Sequence, residues 1–212
     1  KSIGPVEVSP ERMDLAEIQN NRFCFPDAEA AKAAEDYLDQ KIAECDSVGG
    51  VVECVISGLP VGLGEPVFEK LDANLAKAIL SIGAVKGFEI GDGFAATKAC
   101  GSENNDEFRM DGDKIVKETN HAGGVLGGIS DGSDVVFRAA FKPTPSIAKS
   151  QETVTKDGAN IDLVIHGRHD PVVVPRAVVV VESMAAITAM DMLLVSMTSR
   201  LDLIQIFFQV EN

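Results

Sequence analysis

Residues 175–199 form a continuous stretch, PRAVVVVESMAAITAMDMLLVSMTS, that is apolar almost throughout. The stretch is typical of one long helix, with Pro175 in the first turn, where its missing N–H leaves no bond unmade. A helix that is apolar all round has to be enclosed by protein or by lipid. Arg176, Glu182 and Asp191 leave no uncharged run of about 18 residues, which argues against a membrane span. We therefore expect this helix in a protein core or a subunit interface.

The charge of the chain limits its partners. Of its 212 residues, 33 are acidic and 19 are basic, which gives a net charge of −14. A field of this sign repels the phosphate backbone and argues against nucleic acid as a main partner. The apolar fraction of 45% is typical of a chain that folds. The length fits a single domain over residues 1–212.

The cysteines and the first residues bear on where the protein resides. Four cysteines match neither a CxxC pair nor a small disulfide framework: Cys24, Cys45, Cys54 and Cys100. We therefore expect reduced thiols in a cytoplasmic protein. No basic segment followed by an apolar one opens the chain, so no secretion signal is expected.

Predicted helices and strands alternate along the chain before a hairpin and the long helix. In order they are a helix over 28–45, a strand over 51–60, a helix over 65–82, strands over 83–94 and 135–141, and a hairpin joining Thr153–Thr155 to Asn160–Ile165. Asp27 is placed to cap the first helix and Gly49–Gly50 to end it. Phe68 belongs to the apolar face of the second helix. Residues 98–119 are polar and without period, which predicts a mobile loop, and the mixture predicts an α+β fold.

Cations are concentrated between residues 138 and 176. This range holds six basic and four acidic residues, a local charge of +2 in a chain of −14. Within it, residues 142–146 (KPTPS) combine a cation, two hydroxyls and a backbone made rigid by two prolines. Such groups bind a phosphate or a carboxylate. Chance variation of surface charge would give the same count, so charge alone leaves both interpretations open.

The loop GRHDP at 167–171 is the second candidate site. Arg168 beside Asp170 favours an ionised carboxylate, and Asp170 beside His169 could form an acid–base relay. A structural ion pair at the junction of a loop and a helix would have the same sequence. Zinc, dinucleotide, P-loop and serine hydrolase sites are not expected, because the chain lacks the HExxH, GxGxxG-after-strand, GxxxxGK[ST] and GxSxG patterns.

Three blocks of sequence occur in the order found in one enzyme family. They are SIGAVKGFEIGDGF at 81–94, NHAGGVLGGISDGSDVVFRAAFKPTPSI at 120–147 and GRHDPVVVPRAVVVVESMAAI at 167–187. On these blocks the chain resembles the chorismate synthases. The resemblance implies a β-α-β sandwich, with helices layered between antiparallel-rich sheets, assembled as a homotetramer. It also implies a cytoplasmic lyase of the shikimate pathway.

The resemblance further implies a cofactor, a substrate and a set of site residues. The family converts 5-enolpyruvylshikimate 3-phosphate to chorismate and phosphate by a 1,4-anti elimination that needs reduced FMN without net redox change, and it is associated with NADP. By matching position, FMN is expected to contact Gly83, Ala84, Gly127, Lys142, Pro143, Thr144, Pro145, Ser146 and Arg168. Asp170 matches an aspartate proposed to manage the proton at the flavin N5. Gly83 stands where some members have asparagine, so a side-chain contact is lost there.

Part of the family pattern is not found in this sequence. The GESHG-like block, the two catalytic histidines and the arginine-rich GRSSARE-like block have no match, and His121 does not replace the histidines. The chain also begins at Lys1 rather than at a methionine. The resemblance therefore implies the C-terminal portion of the enzyme, which we expect to be inactive by itself. The alternative is a non-catalytic domain for oligomerisation or for binding an anion or a flavin.

Overall fold

The structure is a computed structural model that describes residues 1–167 and 169–208. Its contacts divide the chain into two compact units. The first unit comprises residues 1–52, 84–86 and 140–178, and the second comprises residues 53–83, 87–139 and 179 onward. The single domain expected from the length of the chain stays a prediction.

Strands and short helices alternate along the described chain and end in two helices. In order they are β1 (Ser2–Ile3), β2 (Val6–Glu7), α1 (Ala28–Ala43), β3 (Gly50–Ile56), α2 (Leu71–Leu80), β4 (Val85–Ile90), α3 (Gly101–Asn104), β5 (Phe108–Asp111), β6 (Lys114–Lys117), β7 (Val125–Leu126), β8 (Ile129–Ser130), β9 (Val135–Phe141), β10 (Gln151–Val154), β11 (Asn160–Leu163), α4 (Val174–Met197) and α5 (Leu201–Phe208). The mixture of helices with antiparallel strand pairs confirms the predicted α+β class.

Five strands form one sheet in the order β2-β1-β3-β9-β4. Strand β1 pairs antiparallel with β2 and β3, and its Ser2 lies opposite Glu7 on one side and Val51 on the other. Strand β9 alternates buried and half-buried residues along its whole length, which is the period of a strand with one face on a core. The other strands form three hairpins, β5-β6, β7-β8 and β10-β11. The last of these confirms the predicted hairpin.

Helix α1 in the first unit begins where the sequence predicts and ends earlier. Asp27 caps it, because the Asp27 Oδ1 accepts the backbone N–H groups of Glu29 and Ala30 at 3.0 Å each. The helix ends at Ala43, and Cys45 just beyond it has a φ of 56°, a left-handed conformation that stops a helix. The prediction that the glycine pair ends the helix was therefore wrong, since Gly50 opens β3.

Helix α2 in the second unit is shorter than its apolar pattern predicts. It begins at Leu71 rather than at residue 65, and Phe68 is 86% exposed. Val67 has a φ of 64°, and a left-handed residue cannot belong to a right-handed helix. The predicted burial of Phe68 was wrong for this reason, whereas Leu71, Leu75 and Ile79 are fully buried.

Residues 98–119 are folded rather than structureless. They contain helix α3 and the hairpin β5-β6. The hairpin turns at Gly112, whose φ is 59°, a conformation that suits glycine in a tight turn. The expected absence of structure was wrong, because the two-residue turn at Gly112–Asp113 pairs two short strands. Their apolar side chains, among them Phe108 and Ile115, are exposed. The expected mobility stays a prediction.

Helix α4 is enclosed on one face rather than all round. Ala177, Val181 and Ala185 are buried at steps of four, whereas Val179 and Ile187 are about 60% exposed. By length and composition α4 is the one helix among those described that could cross a membrane, with a mean hydropathy of 2.0. A core helix of a soluble protein can have the same length and hydropathy. The expectation that α4 does not span a membrane, which rests on its charged residues, therefore stays a prediction.

Candidate functional site

The KPTPS segment leaves the end of β9 and is held from two sides within the first unit. The Lys142 N–H donates to the Ala84 carbonyl at 3.0 Å. The Thr144 carbonyl accepts the Ser47 hydroxyl at 2.7 Å. Pro143 and Pro145 lack an N–H and cannot be held by ladder bonds of their own. The position of the segment therefore depends on these contacts from distant parts of the chain.

The polar side chains of this segment are available to a ligand. Lys142 is exposed, and Thr144 and Ser146 are half-buried. Within the part of the chain that the structure describes, no partner is found for the Lys142 ammonium or for the two hydroxyls. A cation and two donors that are not used by the fold suit a phosphate or the polar edge of a flavin.

Ala84 is one of four non-glycine residues with a positive φ in the described chain, at 72°. This conformation is uncommon for a residue with a side chain, and the Ala84 carbonyl accepts the Lys142 N–H. Two of the predicted contact positions, Ala84 and Lys142, are thus brought together. A Cβ added to Gly83 would meet nothing within 4 Å, so the absence of a side chain at this position is not required by its neighbours.

The GRHDP loop arranges its side chains differently from the predicted relay. Asp170 forms an ion pair with Arg176 in the first turn of α4. The His169 Nε2 donates to the Ile165 carbonyl at 3.1 Å. No bond joins His169 to Asp170 in the described chain, and Arg168 lies outside the described residues. The structural ion pair foreseen as an alternative is therefore present, with Arg176 as the partner.

A cavity of about 300 Å³ lies beside Asp170 within the first unit. The residues around it come from the end of α1 and the segment after it, from the residues after KPTPS and from the GRHDP loop: Ile42, Cys45, Asp46, Ser47, Ile147, Ala148, Gly167, His169, Asp170 and Pro171. The cavity is therefore lined by the GRHDP loop and by Ile147 and Ala148, which directly follow the KPTPS segment.

Residues 46–49, between α1 and β3, contact both predicted segments. Ser47 bonds to Thr144 as described, and the Val48 N–H donates to the Pro171 carbonyl at 2.8 Å. Val48 also forms a parallel bridge with Val172. Sequence reasoning missed this segment, because its partners lie about a hundred positions away and its residue types are unremarkable.

Gly127 lies in the second unit, at the turn of the β7-β8 hairpin. Gly127 and Gly128 have φ values of 63° and 93°, as a two-residue hairpin turn of the primed type requires. Gly127 is exposed, and a Cβ added there would meet nothing within 4 Å. Its backbone is therefore open to a ligand.

A buried charge cluster holds the glycine-rich loop that leads to this hairpin. The Lys117 ammonium lies 3.1 Å from Asp106 and 2.7 Å from Asp131, and all three side chains are at most 7% exposed. Asp106 also accepts the N–H groups of His121 and Ala122 at 2.7 and 3.0 Å. Sequence reasoning missed this cluster, two members of which, Asp106 and Lys117, lie in the predicted mobile loop.

The ionisation of Asp106 follows from these bonds. Burial by itself raises the pKa of Asp106, but the bonds from Ala122, Thr119, His121 and Lys117 outweigh it, and the net pKa is lowered. Asp106 is therefore a carboxylate that organises the backbone of the loop. In the described residues, no group of three or more His, Cys, Asp or Glu is placed to hold a metal ion.

The chain is similar to known proteins over almost its whole length. The family profile described as chorismate synthase matches residues 1–194. A chorismate synthase of Agathobacter rectalis is 61% identical over 209 residues, and one of Lachnoclostridium phytofermentans is 59% identical over 210. Each alignment covers 99% of this chain but 57% of the relative, so the chain spans little more than half the length of these relatives.

The fold is similar to a solved structure. A crystal structure of chorismate synthase superposes with a TM-score of 0.75 at 31% identity, covering 92% of this chain and 55% of the other. The profile, the identities and the superposition agree with the three sequence blocks and with the α+β fold. The chain belongs to the chorismate synthase family.

Proposed function

We propose that the full-length protein, meaning a chain of the relatives' length that contains these 212 residues, converts 5-enolpyruvylshikimate 3-phosphate to chorismate and phosphate. The reaction is a 1,4-anti elimination that uses reduced FMN and belongs to aromatic amino-acid biosynthesis. Family membership over residues 1–194 supports this proposal. The observation that carries it is the juxtaposition of the KPTPS segment with the Asp170 loop, since residues 46–49 bond to both.

The donor set of this juxtaposition fits FMN. Lys142, Thr144 and Ser146, all in the first unit, would bind its phosphate or its carbonyl edge through a cation and two hydroxyls. Contacts of FMN with Gly83 and Gly127 remain expectations from the family resemblance. The local charge of +2 between residues 138 and 176 favours an anionic cofactor in a chain of −14. When bound, reduced FMN supplies the electron density that helps phosphate to leave the substrate.

Asp170 is proposed to hold the proton that is transferred in the reaction. Its side chain is 44% exposed and borders the cavity of about 300 Å³, so a ligand can reach the carboxylate. Arg176 orients the carboxylate from the first turn of α4, where helix packing fixes the arginine backbone. Contact of Arg168 with FMN, NADP association, homotetramer assembly and cytoplasmic location remain expectations from the family resemblance.

The first test compares the full-length protein with the chain of 212 residues. We expect lyase turnover with reduced FMN and 5-enolpyruvylshikimate 3-phosphate from the full-length protein and none from the shorter chain. Absence of turnover from the full-length protein would refute the proposal. FMN titration by fluorescence and light scattering address the alternative: a folded chain that oligomerises but ignores FMN would be a non-catalytic domain.

The second test removes the proposed proton-handling group. Asp170→Asn in the full-length protein should lower the rate of elimination by about 10²- to 10⁴-fold, the usual contribution of a positioned acid or base. FMN affinity should change little, because the amide keeps the shape of the carboxylate. Asp162→Asn, on exposed strand β11, is the matched control and should turn over at the wild-type rate. Wild-type turnover by Asp170→Asn would remove Asp170 from this role.

A further inference from the structure

Residues 46–49 (Asp46, Ser47, Val48 and Gly49), here called the strap, lie between the two segments of the proposed site. The Ser47 hydroxyl reaches the Thr144 carbonyl across 97 positions of sequence at 2.7 Å. The next residue, Val48, donates its N–H to Pro171 at 2.8 Å, and Pro171 directly follows Asp170. Consecutive strap residues thus bond to the KPTPS segment and to the Asp170 loop.

Asp46 fixes the conformation of Ser47. One Asp46 oxygen accepts the Ser47 N–H at 2.9 Å, and the other accepts the Lys149 ammonium at 2.6 Å. The bond from Lys149 is the largest cause that lowers the pKa of Asp46, so the carboxylate remains an acceptor at neutral pH. Because Lys149 follows the KPTPS segment by three residues, the ion pair ties the far end of that segment to the strap.

Gly49 lets the strap approach the end of β9 closely. A Cβ at this position would lie 2.3 Å from the Phe141 carbonyl oxygen and 3.2 Å from the Pro143 ring. The backbone oxygen cannot move aside without displacing the first residues of KPTPS. A side chain at residue 49 is therefore incompatible with the close approach of the strap to β9. The restriction comes from the neighbouring atoms and not from the backbone φ of Gly49.

We propose that the strap sets the spacing between the KPTPS segment and Asp170, with Ser47 as its positioning residue. This inference rests on the proposed function of those two segments. Ser47 touches neither FMN nor substrate in this proposal; it acts through the Thr144 carbonyl. Because Pro143 and Pro145 have no N–H to donate, the segment has few main-chain donors, and the bond from Ser47 to the Thr144 carbonyl is one of the contacts that hold it.

The test replaces Ser47 in the full-length protein and follows hydrogen exchange without ligand. Ser47→Ala should speed exchange in peptides over 142–149 and 167–172 by about 2- to 10-fold and weaken FMN binding by a similar factor, the equivalent of one hydrogen bond. Ser47→Thr keeps the hydroxyl and should restore both values. Ser81→Ala removes a hydroxyl that bonds only the Ala78 carbonyl at its own helix end and should change neither.

The possible outcomes test the positioning role of the strap independently of the proposed function. Unchanged exchange in both segments, or faster exchange spread equally over α2, would overturn the positioning role whether or not FMN binds. Local loosening with unchanged FMN affinity, in a protein that binds FMN, would overturn it as well. Local loosening in a protein that binds no FMN would support the strap as a spacer and refute the proposed function instead.

Discussion

Asp27 offers a test of how charge stabilises the first unit. Its side chain is 2% exposed and caps α1. The Arg12 guanidinium donates to it from Nε at 3.2 Å and from Nη2 at 3.0 Å, and the Ser9 N–H donates at 3.2 Å. Asp27→Asn keeps the shape of the side chain and an oxygen for the cap but removes the negative charge. With the amide oxygen in the cap, the NH2 group takes the place of Oδ2, so the substitution removes the ion pair together with the bond from the Ser9 N–H.

The pKa of Asp27 gives the size of the effect. The bond from Arg12 is the largest cause that lowers this pKa from 3.8 to about 2. Such a shift corresponds to about 2.5 kcal/mol, and because Arg12 is 46% exposed, screening by water reduces the expected value to about 1 to 2 kcal/mol. The folded-state pKa lies below the unfolded one, so this stability is present above pH 3.8 and is lost as the pH falls through about 2.

Urea unfolding followed by circular dichroism measures this prediction. Asp27→Asn should lower the free energy of unfolding by about 1 to 2 kcal/mol at pH 7, and the difference should shrink as the pH approaches 2. Asp14→Asn is the control, because Asp14 caps an exposed 3-10 turn through one bond to Ala16 at 2.9 Å. A loss of the same size at every pH would refute the reasoning, since it would arise from packing rather than from charge.

Two further substitutions probe the parts of each unit that sequence reasoning missed. Lys117→Met should lower the free energy of unfolding by about 3 to 5 kcal/mol, because it leaves buried carboxylates without their cation. Lys114→Met, on the exposed strand β6, is the control. Equal free energies of unfolding for the two variants in denaturant would contradict the argument. Gly49→Ala should lower the melting temperature and weaken FMN binding in the full-length protein, because the new Cβ meets the Phe141 carbonyl at 2.3 Å. Gly101→Ala, where a Cβ meets nothing within 4 Å, should change neither value.

Local signals predicted those elements whose causes are local. The Asp27 cap lies next to the helix it starts, and β9 shows its alternation within seven residues. The apolar pattern placed the buried residues of α2 correctly from Leu71 onward but extended the helix to Phe68. A positive φ at Val67 decides that boundary, and no property of valine indicates it.

Only part of the candidate site was predicted from the sequence. The KPTPS segment and Asp170 were found from residue type, local charge and family resemblance. The partner of Asp170 was not, because the sequence drew attention to Arg168 two residues away, whereas the first turn of α4 brings Arg176 to the carboxylate.

The α+β class followed from residue identity and short-range periodicity, and the family followed from three blocks of sequence that resemble the chorismate synthases. The positions that a flavin is expected to contact are what this resemblance implies. Two arrangements became visible only in the folded chain: residues 46–49 bond to both the KPTPS segment and the Asp170 loop, and Lys117 binds two buried carboxylates. The first depends on contacts between distant positions, such as Ser47 and Thr144, which are 97 positions apart. The second joins Lys117 to carboxylates 11 and 14 positions away. Such contacts leave no local pattern, since a hydroxyl or a lysine looks the same in sequence whether it faces solvent or a carbonyl across the fold.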